Sequence, residues 1–318
     1  MKPELILTTR IPSPAQEMLE AEYVCHKLYE AQDRDALVRL LAPRIRGIAT
    51  FAHGGVGAGL IEALPNLEII SHYGDGTEKI DLVAARKRGV VVANVVGLVD
   101  DCVADTAMAL MLNVMRRYPQ ADAFVRSGKW TAPNTYPPAT SLGGKTVGIL
   151  GLGGIGGAIA KRAVAFGMKI RYHSRGRKDV SYPYDPDPIA LAANSDVLVV
   201  CVTGGPQTAR LVNAKVLDAL GPSGYVINVA RGSVIDEPVL IQYLEERKIA
   251  GAGLDVYETE PLPADHALWT TPGVLMTPHM AGHGPYLNER RYKILEDNCR
   301  AMIAGTPLRN VVDKASWF

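Results

Sequence analysis

Cysteine is scarce. Four occur in 318 residues, Cys25, Cys102, Cys201 and Cys299, far apart and with no CxxC pair. That excludes a thiolate metal framework and reads as reduced thiols in a cytoplasmic protein. Net charge is also lacking: 34 Lys and Arg against 33 Asp and Glu leave +1. Nothing in that balance attracts nucleic acid or a membrane surface. No apolar run reaches the ~18 residues that a bilayer span needs. The opening MKPELILTTRIP has no apolar core of a secretion signal. Internal repeats and low-complexity tracts are missing too.

What is there is a core-forming chain, 47% hydrophobic and 21% charged. Its length suits two domains that share a cleft. Short apolar runs at 5–7, 45–50, 67–71 and 90–93 read as strands, with a helix at 14–23 and Gly and Pro as punctuation. A long apolar helix pattern covers 100–117, with Asp100 or Asp101 as its cap. The stretch SGKWTAPNTYPPATSLGGK carries too many prolines for a regular element and reads as a loop or arm. A second series of strands follows, at 146–150, 169–173, 197–202, 225–228, 253–256 and 274–276, and a final helix at 288–304. Strands alternating with helices predict parallel sheets covered on both faces.

The sharpest local signal is TVGILGLGGIGGAIAKRAVAFGM. An apolar strand runs into Gly151-x-Gly153-x-x-Gly156 and then into an Ala-rich helix. The glycines allow a tight turn, close approach of backbone to a pyrophosphate, and close packing of helix on strand. The helix N-terminus then offers unpaired N–H groups and a positive dipole end to the phosphates. The next strand ends in Tyr172-His173-Ser174-Arg175-Gly176-Arg177-Lys178. NAD-specific sites place a carboxylate there for the ribose 2′-hydroxyl. A hydroxyl and three cations instead suit a 2′-phosphate, unless the loop is simply a solvated basic turn.

Three later segments each put polar residues beyond the C-terminal end of a strand, where open α/β sheets bind ligands. They contain Asn228-Val229-Ala230-Arg231-Gly232, then Asp255, Glu258 and Glu260 before Pro261, then Thr277-Pro278-His279. The motifs GLGGIG, NVARG, GLDVYETEP and TPH occur in the order and spacing of the D-isomer-specific 2-hydroxyacid dehydrogenase family, which the chain resembles. VADTAMALML and VRSGKW before the cradle, and DGTEKIDL in the first lobe, extend the resemblance over about 45–298. Within the family, VRSGKW and the Ser-Arg after the second strand are most similar to NADPH-preferring glyoxylate/hydroxypyruvate reductases.

The resemblance implies two doubly wound parallel-sheet α/β domains. A flavodoxin-like substrate domain takes 1–98 and 288–318; a Rossmann NADP-binding domain takes 99–287, with a dimerisation arm at about 126–143. It implies NADP(H) as preferred cofactor, NAD(H) with lower affinity, no metal, and a cytoplasmic homodimer acting on a small 2-keto or 2-hydroxy acid. Arg231 would pair with the substrate carboxylate and polarise its carbonyl. His279 would protonate the carbonyl oxygen. Glu260, preferred over Glu258 because it lies 29 residues past Arg231 and directly before Pro261, would bond the other ring nitrogen and favour imidazolium. Cofactor contacts would come from Thr106, Leu152, Gly153, Gly154, Ile155, Gly156, Ser174, Arg175, Arg177, Val202, Thr208, Val229, Ala230, Arg231, Asp255, His279 and Gly282. Asp255 is either an acceptor for the nicotinamide carboxamide or a turn cap.

Two first-lobe loops would hold the substrate carboxylate through Ala52, His53 and Gly54 and through Asp75 and Gly76, where ordinary strand-to-helix turns are the alternative. Two departures from the family pattern stand out: Asp75 in place of a small apolar residue, and Ala281-Gly282-His283-Gly284 after the histidine. His53 and His283 are candidates to offset the Asp75 charge. The resemblance also admits relatives that bind a dinucleotide without turning over substrate, as co-repressors do, and phosphoglycerate, formate or phosphite dehydrogenases.

Overall fold

The computed structural model describes residues 2–312 apart from Ala52, His53, Asp75, Gly305 and Pro307. The chain divides into two compact units, one made of residues up to Leu98 with those from Gly284 onward, the other Val99–His283.

In the first unit β1 (Glu4–Leu7), α1 (Ala15–Glu22), β2 (Val24–Lys27), α2 (Arg34–Leu41), β3 (Gly47–Thr50), α3 (Ala58–Ala63), β4 (Ile69–His72), α4 (Leu82–Arg88) and β5 (Val91–Ala93) alternate. The sheet is parallel, in order β2-β1-β3-β4-β5. Successive strand residues point to opposite faces, and here both faces are buried. Ile6, Ile48, Ile70 and Val92 pack with Val38, Leu41 and Ile61 of α2 and α3 on one side. Leu5, Leu7 and Ala49 pack with Leu19 of α1 on the other, together with Tyr292 and Leu295 from the returning helix α11 (Pro285–Ala304). Double burial explains why these strands read as unbroken apolar runs.

The second unit opens with α5 (Asp100–Arg116) and α6 (Tyr118–Arg126). Then follow β6 (Thr146–Leu150), α7 (Gly154–Ala165), β7 (Lys169–His173), α8 (Pro188–Ala193), β8 (Val197–Val200), α9 (Ala214–Leu220), β9 (Tyr225–Asn228), α10 (Glu237–Glu245), β10 (Gly251–Leu254) and β11 (Val274–Met276). Its parallel sheet runs β11-β10-β9-β8-β6-β7. The chain leaves β6 for β7 on one side and resumes with β8 on the other. The order therefore reverses at the end of β6, the position where doubly wound sheets open a crevice. Leu150, Leu198, Val200, Val226 and Leu254 form one core with α8, α9 and α10. Helices α5 and α7 pack on each other and on the sheet, and Arg162 of α7 ties them by bonds to Asp101 (3.0 Å) and Asp105 (2.7 Å) of α5.

Several elements differ from the sequence reading. β2 was not expected; it is an edge strand whose residues are partly exposed, Val24 by 41%, so it lacks an apolar run. β10 both starts and ends two residues before the expected 253–256, because Asp255 and Val256 already belong to the turn beyond it, and β8 stops at Val200 rather than at 202 for the same reason. Neither Asp100 nor Asp101 caps α5: Val99 holds the cap position without a side-chain bond, and both aspartates lie in the first turn. α11 begins at Pro285, three residues before the expected 288. Residues 127–145 contain neither helix nor strand. Among the described residues no helix is long and apolar enough to cross a membrane.

Gly156 sets the contact between α7 and β6. A Cβ there would run into the Gly151 carbonyl oxygen, whereas one on Gly157, a residue further along, would meet nothing within 4 Å. Gly156→Ala is expected to destabilise the protein by about 1–3 kcal/mol through overpacking, and Gly157→Ala to be neutral or stabilising by up to ~1 kcal/mol. Thermal melting of the two variants checks this; equal melting temperatures would remove the packing argument.

Candidate active site

The loop after β6 has the backbone form of an anion cradle. Gly151 adopts φ +105°, closed to most side chains. A Cβ there would also lie 2.9 Å from the Cys201 carbonyl oxygen and the Val202 nitrogen. Its N–H donates to the His173 carbonyl (2.8 Å), so the end of β6 is held between its two neighbours. Gly153 caps α7 without a side chain, and a Cβ on it would meet nothing within 4 Å. Leu152 is buried, Gly156 buried and Ile155 half-buried, while Gly153 and Gly154 are exposed. The first turn of α7 thus presents its amides with no capping side chain of its own, as a phosphate requires.

One carboxylate near this turn reads in the sequence only as a possible cap. Asp100 lies against Gly154, where an added Cβ would strike Oδ2. Burial pushes its carboxyl above the ordinary value, and neighbouring Asp101 adds to the effect. The sequence signal was the Asp100–Asp101 pair itself, which does not reveal that α5 delivers it to α7.

At the end of β7, Ser174 is half-buried, with its hydroxyl donating to the Gly176 carbonyl (2.7 Å); Arg175 and Arg177 are exposed. Arg171 is engaged elsewhere, by Nε and Nη2 bonds of 2.8 and 2.7 Å to Asp185. The hydroxyls of Thr106 and Thr208 donate within the protein, to Cys102 O (3.1 Å) and Thr203 O (2.8 Å). Val229 and Ala230 are buried at the end of β9, and Val202 and Gly282 are half-buried.

The three remote polar segments come together at the ends of β9, β10 and β11. Asn228, 1% exposed, fixes the turn after β9: its Oδ1 accepts from Ala230 N (3.0 Å) and its Nδ2 donates to Arg231 O (3.1 Å). Arg231 Nη1 donates to the Ala230 carbonyl (2.7 Å). The following Gly232 touches the neighbouring turn backbone to backbone; a Cβ would overlap the Tyr257 carbonyl and the Glu258 nitrogen. In that turn Glu237 of α10, 5% exposed, accepts from Glu258 N (3.1 Å) and pairs with His266 Nε2 (3.1 Å).

Glu260, not Glu258, meets the histidine. Its Oε2 lies 2.5 Å from His279 Nδ1, and its Oε1 accepts from Tyr257 N (3.0 Å). Glu258 faces Arg210 at 3.5 Å near solvent. Burial alone would push the Glu260 carboxyl up. The bonds from His279 and Tyr257 N, with the charges of His279 and Arg231, hold it below its ordinary 4.5 instead.

His279 has φ +51°, a left-handed conformation uncommon for a side-chain-bearing residue. Asp255 holds it there. This carboxylate, 1% exposed, accepts from Thr277 Oγ1 (2.6 Å), Met280 N (3.0 Å) and Ala281 N (2.9 Å). A carboxylate has about four acceptor positions, so a carboxamide would share Asp255 with three donors of the 277–281 turn. The turn-cap alternative describes its contacts. Tyr257 adds a bond from its hydroxyl to Thr277 O (2.8 Å), and burial, then the charge of Asp255, pushes that hydroxyl up to about 12. A carboxylate on Nδ1 makes Nδ1–H the favoured tautomer. Nε2 has no bonded partner among the described residues, and the side chain is 47% exposed. The group can exchange a proton at Nε2, while the Arg231 charge acts on its carboxylate partner Glu260.

In the first unit, Gly54 is buried against Thr9 and Thr50, and its carbonyl accepts from Thr50 Oγ1 (2.6 Å). Gly76 is half-buried. Ala52, His53 and Asp75 lie outside the described residues, so the proposed offset of Asp75 does too; His283 is exposed. Arg291 of α11 is 8% exposed, with its charge acting on Tyr73. Within a helical pattern that arginine reads as a solvated face, and no sequence signal separates it. Among the described residues no group of His, Cys, Asp and Glu could hold a metal ion.

Known proteins resemble the chain over nearly its whole length. The family model for the NAD-binding domain of the D-isomer specific 2-hydroxyacid dehydrogenases matches residues 108–281. A 2-ketogluconate reductase of Gluconobacter oxydans is 42% identical over 281 residues, 88% of this chain and 89% of that protein. A 2-hydroxyacid dehydrogenase structure from Ketogulonicigenium vulgare superposes with a TM-score of 0.90 at 38% identity, covering 98% of this chain and 99% of that one. The NADPH-dependent glyoxylate/hydroxypyruvate reductase of Sinorhizobium meliloti, solved with NADP and malonate, gives 0.86 at 35% identity over 98% and 97%. The second unit is therefore a nicotinamide-dinucleotide-binding domain, and the chain belongs to the D-isomer-specific 2-hydroxyacid dehydrogenase family.

Proposed function

We propose that the protein is an NADPH-dependent reductase of small 2-keto acids, glyoxylate and hydroxypyruvate among them, that forms the D-2-hydroxy acid and takes NADH with lower affinity. The observation that carries this reading is the His279–Glu260 pair with the Arg231 charge acting on the same carboxylate, in the unit that also holds the glycine cradle. An anion and a proton acceptor can be served together there. The absence of any carboxylate in the exposed 174–178 loop supports NADPH, as does the cofactor named for the Sinorhizobium meliloti relative.

The residues fit a dinucleotide. The first turn of α7 would take the pyrophosphate, with Leu152, Gly153, Gly154, Ile155 and Gly156 around it. Ser174, Arg175 and Arg177 would take a 2′-phosphate. Thr106, Val202, Thr208, Val229, Ala230 and Gly282 would complete the site. When bound, the nicotinamide supplies the hydride. Arg231 pairs with the substrate carboxylate and draws electron density from the adjacent carbonyl. His279 gives the Nε2 proton to the carbonyl oxygen as charge develops there. Glu260, ionised even in mild acid, steadies the ring and balances its charge. Asp255 acts as a positioning residue, keeping the histidine backbone in its left-handed turn.

A homodimer completes the proposal. α6 buries none of its residues, and Tyr118, Val125 and Trp130 are 49%, 51% and 63% exposed along α6 and the arm. Such a patch fits a twofold partner.

Three outcomes are expected. Purified protein oxidises NADPH on addition of glyoxylate or hydroxypyruvate; no turnover with any small 2-keto acid, beside an active control enzyme, would refute the reading. His279→Gln lowers kcat by about 10²–10⁴, and Arg231→Ala lowers kcat/KM by about 10²–10³, both measured in steady state. Glu260→Gln melts below the parent at pH 7. A depressed carboxyl gives its full stabilisation above its unfolded pKa and loses it as the pH falls through the folded one. The gap therefore narrows as the pH falls below about 4.5 and closes once Glu260 protonates in the folded protein. Melting curves across that range check it, and a pH-independent gap would contradict the assignment.

A further inference from the structure

The loop that follows β7 is closed from below by a buried phenol. Tyr172 is 0% exposed, and a buried hydroxyl needs hydrogen-bond partners. Both of its partners belong to one residue of the exposed loop: Lys178 N donates to it (2.8 Å), and it donates to Lys178 O (3.2 Å). Residues 172–178 thus form a ring fastened at a single point. Inside the ring Ser174 Oγ donates to Gly176 O (2.7 Å), and Tyr184 OH reaches Ser174 O (3.4 Å).

The anchor itself is fixed. Tyr172 N donates to Pro183 O (3.0 Å) and Asp185 N to Tyr172 O (2.9 Å), so the 183–185 segment lies along β7 as a one-residue parallel bridge at Tyr184. The Tyr184 ring meets Tyr172 edge-on at 5.4 Å and stacks on His173 at 5.8 Å. Asp185, 3% exposed, is bound by Arg171 and by Asn194 Nδ2 (3.1 Å). The buried carboxylate is thereby neutralised by Arg171, while Arg175, Arg177 and Lys178 remain exposed, followed by the exposed Asp179.

We propose that Tyr172 is a positioning residue for dinucleotide selectivity, its hydroxyl holding the 174–178 loop in the closed shape that lets Ser174, Arg175 and Arg177 converge on a 2′-phosphate. The inference rests on the NADP(H) reading above and deepens it. A dianion that takes several donors at once benefits from donors ordered beforehand. A ribose 2′-hydroxyl makes no such demand, so the clamp separates the two cofactors without touching either.

The test uses fragments of the cofactor on the full chain. Calorimetry measures 2′,5′-ADP and 5′-AMP binding to the parent and to Tyr172→Phe, which keeps the ring and leaves Lys178 N and O able to turn to water. The expected result is a Kd for 2′,5′-ADP raised about tenfold and a Kd for 5′-AMP changed less than about twofold. Trypsin nicking after Arg175, Arg177 or Lys178 is expected to accelerate several-fold in the variant, and 2′,5′-ADP to slow it. A variant that keeps the parent's preference, loses both ligands equally, or is nicked at the parent's rate overturns the clamp. A parent that binds 5′-AMP as tightly as 2′,5′-ADP overturns the NADP(H) reading and the clamp together.

Discussion

The site depends on how one buried carboxylate is used. Asp255 accepts three bonds from residues 277–281 and so keeps His279 at φ +51°. Backbone in that region costs energy and persists only where the surroundings over-determine it. Here they do so from one strand end to the next, because Asp255 follows β10 and the turn follows β11. The same geometry aims Nδ1 at Glu260, whose carboxylate also accepts from Tyr257 N and so fixes the segment after β10. Without Asp255, the imidazole would have a partner but no reason to face it.

The convergence of Arg231, Glu260 and His279 is a property of the parallel sheet. β9, β10 and β11 are consecutive neighbours, and all three end at the same edge. Glu260 meets His279, 19 positions on, and lies within the field of Arg231, 29 positions back, because each stands past a strand end. Polar residues along the same strands would be buried in the core formed with α8, α9 and α10. Chemistry is therefore confined to the strand ends, and the apolar strands can pack without polar groups to satisfy.

The parts legible in the sequence were those whose pattern is local. Four of the six strands of the second sheet match to the residue, whereas the fully buried β8 and β10 do not, because there the apolar run continues past the last ladder residue into the ligand-side turn. The strand-end motifs named Arg231, Glu260 and His279, and the structure brings Glu260 and His279 into contact. What could not be read is mostly long-range. β2 is an exposed edge strand with no apolar signature. Asp100 reads as a cap, because nothing local says that α5 crosses to Gly154. Tyr172 is an ordinary aromatic in a strand until its hydroxyl is seen to reach six residues on. Glu237 and His266, which support the Glu258 amide, lie on elements with no motif at all.

The backbone contact at Gly232 restricts how this centre can change. Since even a methyl group would overlap Tyr257 and Glu258, the spacing between the turn after β9 and the turn after β10 is set by backbone contact, with no room for a side chain. Only displacement of an entire strand could alter it, and the shared core resists that. Changes in the chemistry of this centre must therefore come from the side chains that surround the two turns, while the spacing of their backbones stays constant.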